Sequence, residues 1–271
     1  MIHVGCYSGG KDSTALMLWM AENLGEPGKD WIALHERTKW EADSHDPYVE
    51  YINKTVLLGT LKFCESKTYP GGFVQLVTER YRVPSVKARF CTEELKTIPA
   101  IEFCKTLNDE VTIYMGHRRE ESDQRAEMCA IDFDDRYDAH IRKPLLDWTV
   151  EQVFAIHRKY RIEPNPLYKM GVHRVGCFPC VMVQLRELKA LMQWPEQWAE
   201  LKQRVEGIEK TLGSSFFPPN YIPKRFQKGR TEEGKSFPWC ADVWRYLEKT
   251  TEDQLPLLER RSCMSVYNLC E

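Results

Sequence analysis

Cys6-Tyr7-Ser8-Gly9-Gly10-Lys11-Asp12-Ser13 lies between two apolar runs of different length. The run before it, residues 2–6, is short and reads as a buried strand. The run after it, residues 14–20, reads as a helix buried on more than one face. The glycines therefore fall in a strand-to-helix turn. Gly9 and Gly10 accept positive φ and let a ligand approach the backbone closely. Ser8 and Ser13 offer hydroxyls. The first N–H groups of the helix lack intrahelical partners, and the helix dipole favours an anion there. Lys11 adds a full positive charge, and Asp12 is placed to help hold a Mg2+ that accompanies a polyphosphate. The spacing is that of a phosphate cradle, but it is not the pattern G-x-x-x-x-G-K-S/T.

Outward from this turn, strands are expected at residues 31–35, 61–64, 111–116 and 141–146, the one at 111–116 apolar enough to be central. Helices are expected at 48–52, 73–81, 93–107 and 149–160. Pro99 should kink the third of these or mark a boundary. The fourth has Thr149 as N-cap with Gln152 three residues on. This alternation predicts an α/β fold, a doubly wound parallel sheet of Rossmann-like type, with its ligand at the carboxyl ends of the strands. The pattern then changes. Helices at 183–192, 196–212 and 242–247 surround a Lys- and Arg-rich loop at 221–236. Two parts are expected: a nucleotide-binding α/β domain at 1–180, and a helical appendage with a cysteine-containing tail at 181–271.

The chain has 271 residues, 29% of them charged, with a formal net charge of −2, so no global field selects nucleic acid or membrane. No apolar run has the length of a transmembrane helix. A strand at the start of the chain leaves no room for a signal peptide, and ten cysteines without one imply free thiols or metal ligands in a reducing compartment. The expected location is cytoplasmic.

Ser8-Gly9-Gly10-Lys11-Asp12-Ser13 resembles the PP-loop of ATP pyrophosphatases. Four further stretches are similar to motifs of the phosphoadenosine phosphosulfate (PAPS) reductase family within that superfamily. They are Arg89-Phe90-Cys91-Thr92 with Leu95, Lys96 and Pro99; Gly116-His117-Arg118 with Glu121, Ser122 and Arg125; Pro144-Leu145 with Trp148-Thr149; and Asn165-Pro166-Leu167-Tyr168 running to Arg174, Gly176, Cys177 and Cys180. Order and spacing agree from about residue 4 to residue 180. Read by themselves, Gly116 at a strand end allows close backbone approach, and Arg118 and Arg125 are able to fork onto phosphate or sulfate oxygens or to pair with Glu120, Glu121 and Asp123. His140, His157 and His173 show no ligand spacing and receive no role.

Cys177-Phe178-Pro179-Cys180 is a C-x-x-C, which serves as half of a zinc or iron–sulfur site or as a redox dithiol. The resemblance implies a [4Fe-4S] cluster on Cys91, Cys177 and Cys180, with zinc as the lesser alternative. The family members that carry a cluster have two adjacent cysteines where this chain has Phe90-Cys91, so the fourth ligand is sought in the tail, at Cys263 or else Cys270. Cys6, Cys64, Cys104 and Cys129 are read as packing residues. Three departures stand out. Reductases proper of this family have a degenerate phosphate loop, whereas Ser8-Gly9-Gly10-Lys11-Asp12-Ser13 is intact here. The family's E-C-G-x-H tail is absent, and its D-T-G-x-E after the second strand is Arg37-Thr38-Lys39-Trp40-Glu41 here.

These features together imply an enzyme that binds ATP and Mg2+, cleaves ATP to AMP and pyrophosphate, and adenylates an acceptor for sulfur transfer beside an iron–sulfur cluster. Lys11, Asp12 and Arg118 are the expected catalytic residues. Ser8, Gly9, Gly10, Lys11, Asp12, Ser13, Gly116, Arg118 and Arg125 are the expected nucleotide contacts. A sulfur donor protein is a candidate partner, and the loop with Lys224, Arg225, Lys228 and Arg230 is a candidate surface for nucleic acid. Two alternatives remain open: a sulfonucleotide reductase with Cys270 as nucleophile, and a nucleotide-binding subunit without chemistry.

Overall fold

The short apolar runs at 2–6, 31–35, 61–64 and 111–116 each form a strand. The structure, a computed structural model, describes residues 1–85, 87–228, 231–232 and 235–255. One sheet contains β1 (Ile2–Cys6), β2 (Ile32–Arg37), β3 (Lys62–Glu65), β4 (Val111–Tyr114), β5 (Ile131–Asp134) and β6 (Ala139–Arg142). Its order is β3-β2-β1-β4-β6-β5. All neighbours run parallel except β5 and β6. The sheet is thus mixed, where a parallel one was expected. The expected strand at 141–146 begins two residues earlier, and a hairpin partner precedes it. Strand order reverses between β1 and β4, which opens a crevice beyond their carboxyl ends.

The helices are α1 (Lys11–Asn23), α2 (His45–Thr55), α3 (Gly72–Glu79), α4 (Phe90–Thr92), α5 (Ile98–Thr106), α6 (Asp123–Ala126), α7 (Val150–Tyr160), α8 (Leu185–Leu191), α9 (Pro195–Leu212) and α10 (Cys240–Lys249). A π-helical turn, Glu93–Thr97, joins α4 to α5. Pro99 falls in the first turn of α5, where a missing N–H costs least. Thr149 and Gln152 form the expected capping box of α7: Gln152 N donates to Thr149 Oγ1 at 3.4 Å, and Thr149 N donates to Gln152 Oε1 at 2.7 Å.

Three apolar clusters hold these elements. Leu16, Met17 and Met20 of α1 pack with Ile52 of α2 and with Val153 and Ile156 of α7. Ala100 and Cys104 of α5 pack against Val4, Leu34, Ile113 and Ile141. The third cluster joins Leu188, Leu201, Val205, Val243 and Leu247 of α8, α9 and α10 to Phe73, Leu76 and Val77 of α3, and to Trp40 and Phe178. The C-terminal helices therefore seat on α3 and on the segment after β2. That seating brings the C-x-x-C loop to the carboxyl edge of the sheet.

Candidate functional site

The turn after β1 uses one of its two glycines for a left-handed conformation. Gly9 has φ +78°, whereas Gly10 is extended at φ −84°. A Cβ on Gly9 would stand 2.3 Å from His45 Cε1, so the imidazole lies directly on the glycine. Ser13 Oγ gathers the loop around itself. It accepts from Ser8 N and Gly10 N, both at 3.2 Å, and donates to the Gly10 carbonyl at 3.1 Å. The loop is braced from outside as well. Lys11 N donates to Tyr168 Oη at 2.9 Å, Asn165 Nδ2 donates to the Gly9 carbonyl at 3.4 Å, and His157 Nε2 donates to the Lys11 carbonyl at 2.8 Å. These contacts give Asn165-Pro166-Leu167-Tyr168 a physical reason. They also give His157 a role that its spacing in the sequence did not suggest.

Asp12 is wholly buried and joins two cations. Lys11 Nζ lies 2.6 Å from Oδ2, and Arg118 Nε donates to Oδ1 at 2.5 Å. Arg118 comes from the loop after β4, so this pair spans the crevice between β1 and β4. Arg118 Nη1 also donates to the Glu120 carboxylate at 2.8 Å and to the Trp148 carbonyl at 3.4 Å. Close approach of the two segments requires Gly116, where a Cβ would stand 2.9 Å from the Asp12 carbonyl oxygen. Arg125 is buried and paired with Glu121, whose carboxylate also accepts from Arg118 N at 2.9 Å.

A second polar cluster lies beyond β2, on the segment Thr38 to Glu41 that departs from the family's motif. The Glu41 carboxylate accepts from Thr38 N at 2.9 Å, Thr38 Oγ1 at 2.6 Å and Trp40 N at 3.1 Å. Burial pushes Glu41 up, but the Thr38 donors and the neighbouring histidines outweigh it and leave the carboxyl lowered. His35 Nδ1 donates to the Tyr7 carbonyl at 2.7 Å, and its ring stacks on His45 at 5.6 Å. His45 is fully buried, and neither of its ring nitrogens has a hydrogen-bond partner. Burial first, then the His35 charge, lowers His45 to about 3, so it is a neutral imidazole at neutral pH. No period or motif announces His45; only the fold carries it to Gly9.

Cys177 enters the edge of this cluster, its Sγ 3.6 Å from Thr38 Oγ1. Burial pushes the thiol up to about 11; Lys96 pulls against this, while Cys180 and Glu41 push it further up. Cys91 and Cys177 both border the third apolar cluster. Yet among the described residues no group of three or more His, Cys, Asp or Glu side chains is placed to hold a metal. Cys263 and Cys270 lie outside the described residues. A cluster or a zinc ion needs several converging thiolates, so Cys91, Cys177 and Cys180 as placed do not fit one. Mg2+ fares no better, because Asp12 is committed to Lys11 and Arg118. Of the cysteines read as packing residues, Cys64 and Cys104 are buried, Cys6 is half-buried and Cys129 is exposed.

The family described as phosphoadenosine phosphosulfate reductase domain matches residues 2–183. An uncharacterised 37.8 kDa protein of Escherichia phage 186 is 38% identical over 220 residues, covering 73% of this chain and 64% of that protein. The adenosine 5′-phosphosulfate reductase of Agrobacterium fabrum is 31% identical over 144 residues, 52% of this chain and 53% of the relative. The chain thus spans less than two thirds of the length of either. A crystal structure of phosphoadenylyl-sulfate reductase from Candida auris shares the fold, with a TM-score of 0.52 and 15% identity over 66% of this chain and 83% of that one. The relatives with a named activity and the absence of a metal-holding group among the described residues overturn several expectations. Cleavage of ATP to AMP and pyrophosphate, sulfur transfer to an adenylated acceptor, ATP with Mg2+ as cofactors, and the [4Fe-4S] cluster or zinc are all set aside. No helix among the described residues is long and apolar enough to cross a membrane. By its match over residues 2–183 the chain belongs to the phosphoadenosine phosphosulfate reductase domain family.

Proposed function

We propose that this chain is a sulfonucleotide reductase, converting an adenosine phosphosulfate to sulfite and the corresponding adenosine phosphate. One observation carries the reading: in a member of this family, Lys11, Asp12 and Arg118 converge where β1 and β4 part. Relatives named adenosine 5′-phosphosulfate reductases support that substrate class. A phosphosulfate is a chain of anionic groups, which suits a helix N-terminus that also carries Lys11. In this reading Ser8, Gly9, Gly10, Lys11 and Ser13 receive the phosphate, and Gly116, Arg118 and Arg125 form the opposite wall. Asp12 is a positioning residue that fixes Lys11 and Arg118 relative to each other. The α/β part at 1–180 is the nucleotide-binding unit, and 181–271 comprises the helical appendage and a cysteine-containing tail, of which the described residues reach 255.

The chemistry takes sulfur(VI) to sulfur(IV), so two electrons must come from thiols, and the bond that breaks is the sulfur–oxygen bond to phosphate. Cys270, the tail thiol, lies outside the described residues, and the reading does not depend on it. The test supplies adenosine 5′-phosphosulfate, or its 3′-phosphorylated form, with dithiothreitol. The expected products are sulfite and the adenosine phosphate in equal amounts. Binding without sulfite from either nucleotide overturns the reading.

A further inference from the structure

Three N–H groups of the phosphate loop have acceptors inside the chain. Ser8 N and Gly10 N turn inward to Ser13 Oγ. Lys11 N opens α1 and donates to Tyr168 Oη at 2.9 Å. A first helical N–H has no intrahelical carbonyl, and it is the donor that an anion takes when it binds a helix N-terminus. Here a neutral phenol oxygen takes it, from a residue 157 positions away in the chain. The Lys11 ammonium also lies 5.3 Å from the centre of the same ring. Tyr168 therefore covers both the backbone donor and the side chain expected to hold phosphate. A fixed backbone places the phenol. Leu167 N donates to Asn165 Oδ1 at 3.1 Å, Tyr168 N donates to the Asn165 carbonyl at 3.1 Å, and Gly171 N donates to the Tyr168 carbonyl at 3.2 Å. Leu167 and Val172 are buried in the third apolar cluster. Tyr168 itself is only half-buried, so its hydroxyl can leave Lys11 by side-chain rotation while the segment stays in place.

We propose that Tyr168 is a displaceable cap on the phosphate loop, its hydroxyl holding the place of an anionic oxygen at Lys11 N until the nucleotide arrives. The proposal rests on the reading above, in which this loop receives the phosphate of a sulfonucleotide. One N–H points well at only one oxygen, so an anion that uses Lys11 N puts the phenol out. The exchange favours the anion. A charge-assisted hydrogen bond is stronger than one to a neutral hydroxyl, and the N-terminus of α1 favours negative charge. The bond from Lys11 N to Tyr168 Oη must break first, so the tyrosine lowers the affinity of every anion that uses this donor by the same factor. Tyr168 thereby keeps the empty loop closed on itself and sets how tightly the filled loop holds its ligand.

The test compares the wild type with Tyr168→Phe, which loses one oxygen and keeps the ring. Titration calorimetry with adenosine 5′-phosphosulfate should show the variant binding about 2- to 10-fold more tightly, with its circular dichroism spectrum unchanged. Hydrogen exchange at the Lys11 amide gives a second measurement. It should be slow in the wild type, fast in Tyr168→Phe, and slow in both once the nucleotide is bound. A tyrosine that only braces the loop, or that donates to the ligand, moves affinity the other way. Equal or weaker binding by Tyr168→Phe, with the wild type still binding, therefore overturns the cap and leaves the sulfonucleotide reading intact. So does a Lys11 amide that exchanges at one rate in the two ligand-free proteins. No binding by either protein overturns the sulfonucleotide reading and the cap with it.

Discussion

Asp12 shows how one side chain organises the candidate site. It is fully buried, and its carboxylate is divided between Lys11 and Arg118. Removing a buried partner leaves the other charge uncompensated. Asp12→Ala should therefore cost about 3 kcal/mol in urea unfolding, the low end for a broken buried pair because Arg118 keeps Glu120. A loss below about 1 kcal/mol would show that Arg118 finds another partner. Gly9 gives a second prediction. Gly9→Ala meets both a φ of +78° and the His45 ring. It should lower stability by about 1–3 kcal/mol. Adding His45→Ala should return the steric share and leave the backbone share, a non-additivity that a double-mutant cycle reads directly. Lys11, Asp12 and the glycines were legible because a strand, a turn and a helix meet within eight residues. His45, Tyr168 and His157 were not, because they reach the loop from positions remote in the chain.

At the level of elements, α2 begins with a buried histidine rather than a capping side chain. His45 faces His35, Glu41 and, at longer range, Lys96. Its folded value of about 3 lies below its ordinary value of 6.5. The unfolded chain therefore binds the proton first as pH falls. Stability is fully present above about pH 6.5 and is lost as pH falls toward about 3, by a few kcal/mol. His35, also lowered by burial, acts in the same direction. His45→Gln should flatten the fall in urea midpoint between pH 7 and pH 5, roughly the upper half of that window. An unchanged slope would place the acid sensitivity elsewhere. The α7 capping box was legible because Thr149 and Gln152 have the required spacing and nothing overrides them. Two features were not. In β5 the alternation Ile131-Asp132-Phe133-Asp134 is a period of two, but both apolar side chains are exposed, so no core seeking them marked the strand. The π-helical turn before Pro99 is a local widening that apolar spacing does not record.

At the scale of the whole molecule, strand order was fixed by tertiary packing, and alternation in the sequence specified only that helices and strands take turns. The reversal between β1 and β4 sets Gly9 and Arg118 on either side of one crevice, and the seating of α8, α9 and α10 on α3 brings the C-x-x-C loop to the same edge. The metal expected there required thiolates to converge, and composition alone says nothing about convergence. The central claim is that the loop at the end of β1 holds the anionic part of a sulfonucleotide. Calorimetric titration of adenosine 5′-phosphosulfate into the wild type and into Lys11→Ala tests it most directly. Loss of one charge-assisted contact predicts binding by the wild type and affinity about 10- to 100-fold weaker in the variant, with the circular dichroism spectrum unchanged. Equal affinity in the two proteins, or no binding by either, would contradict it.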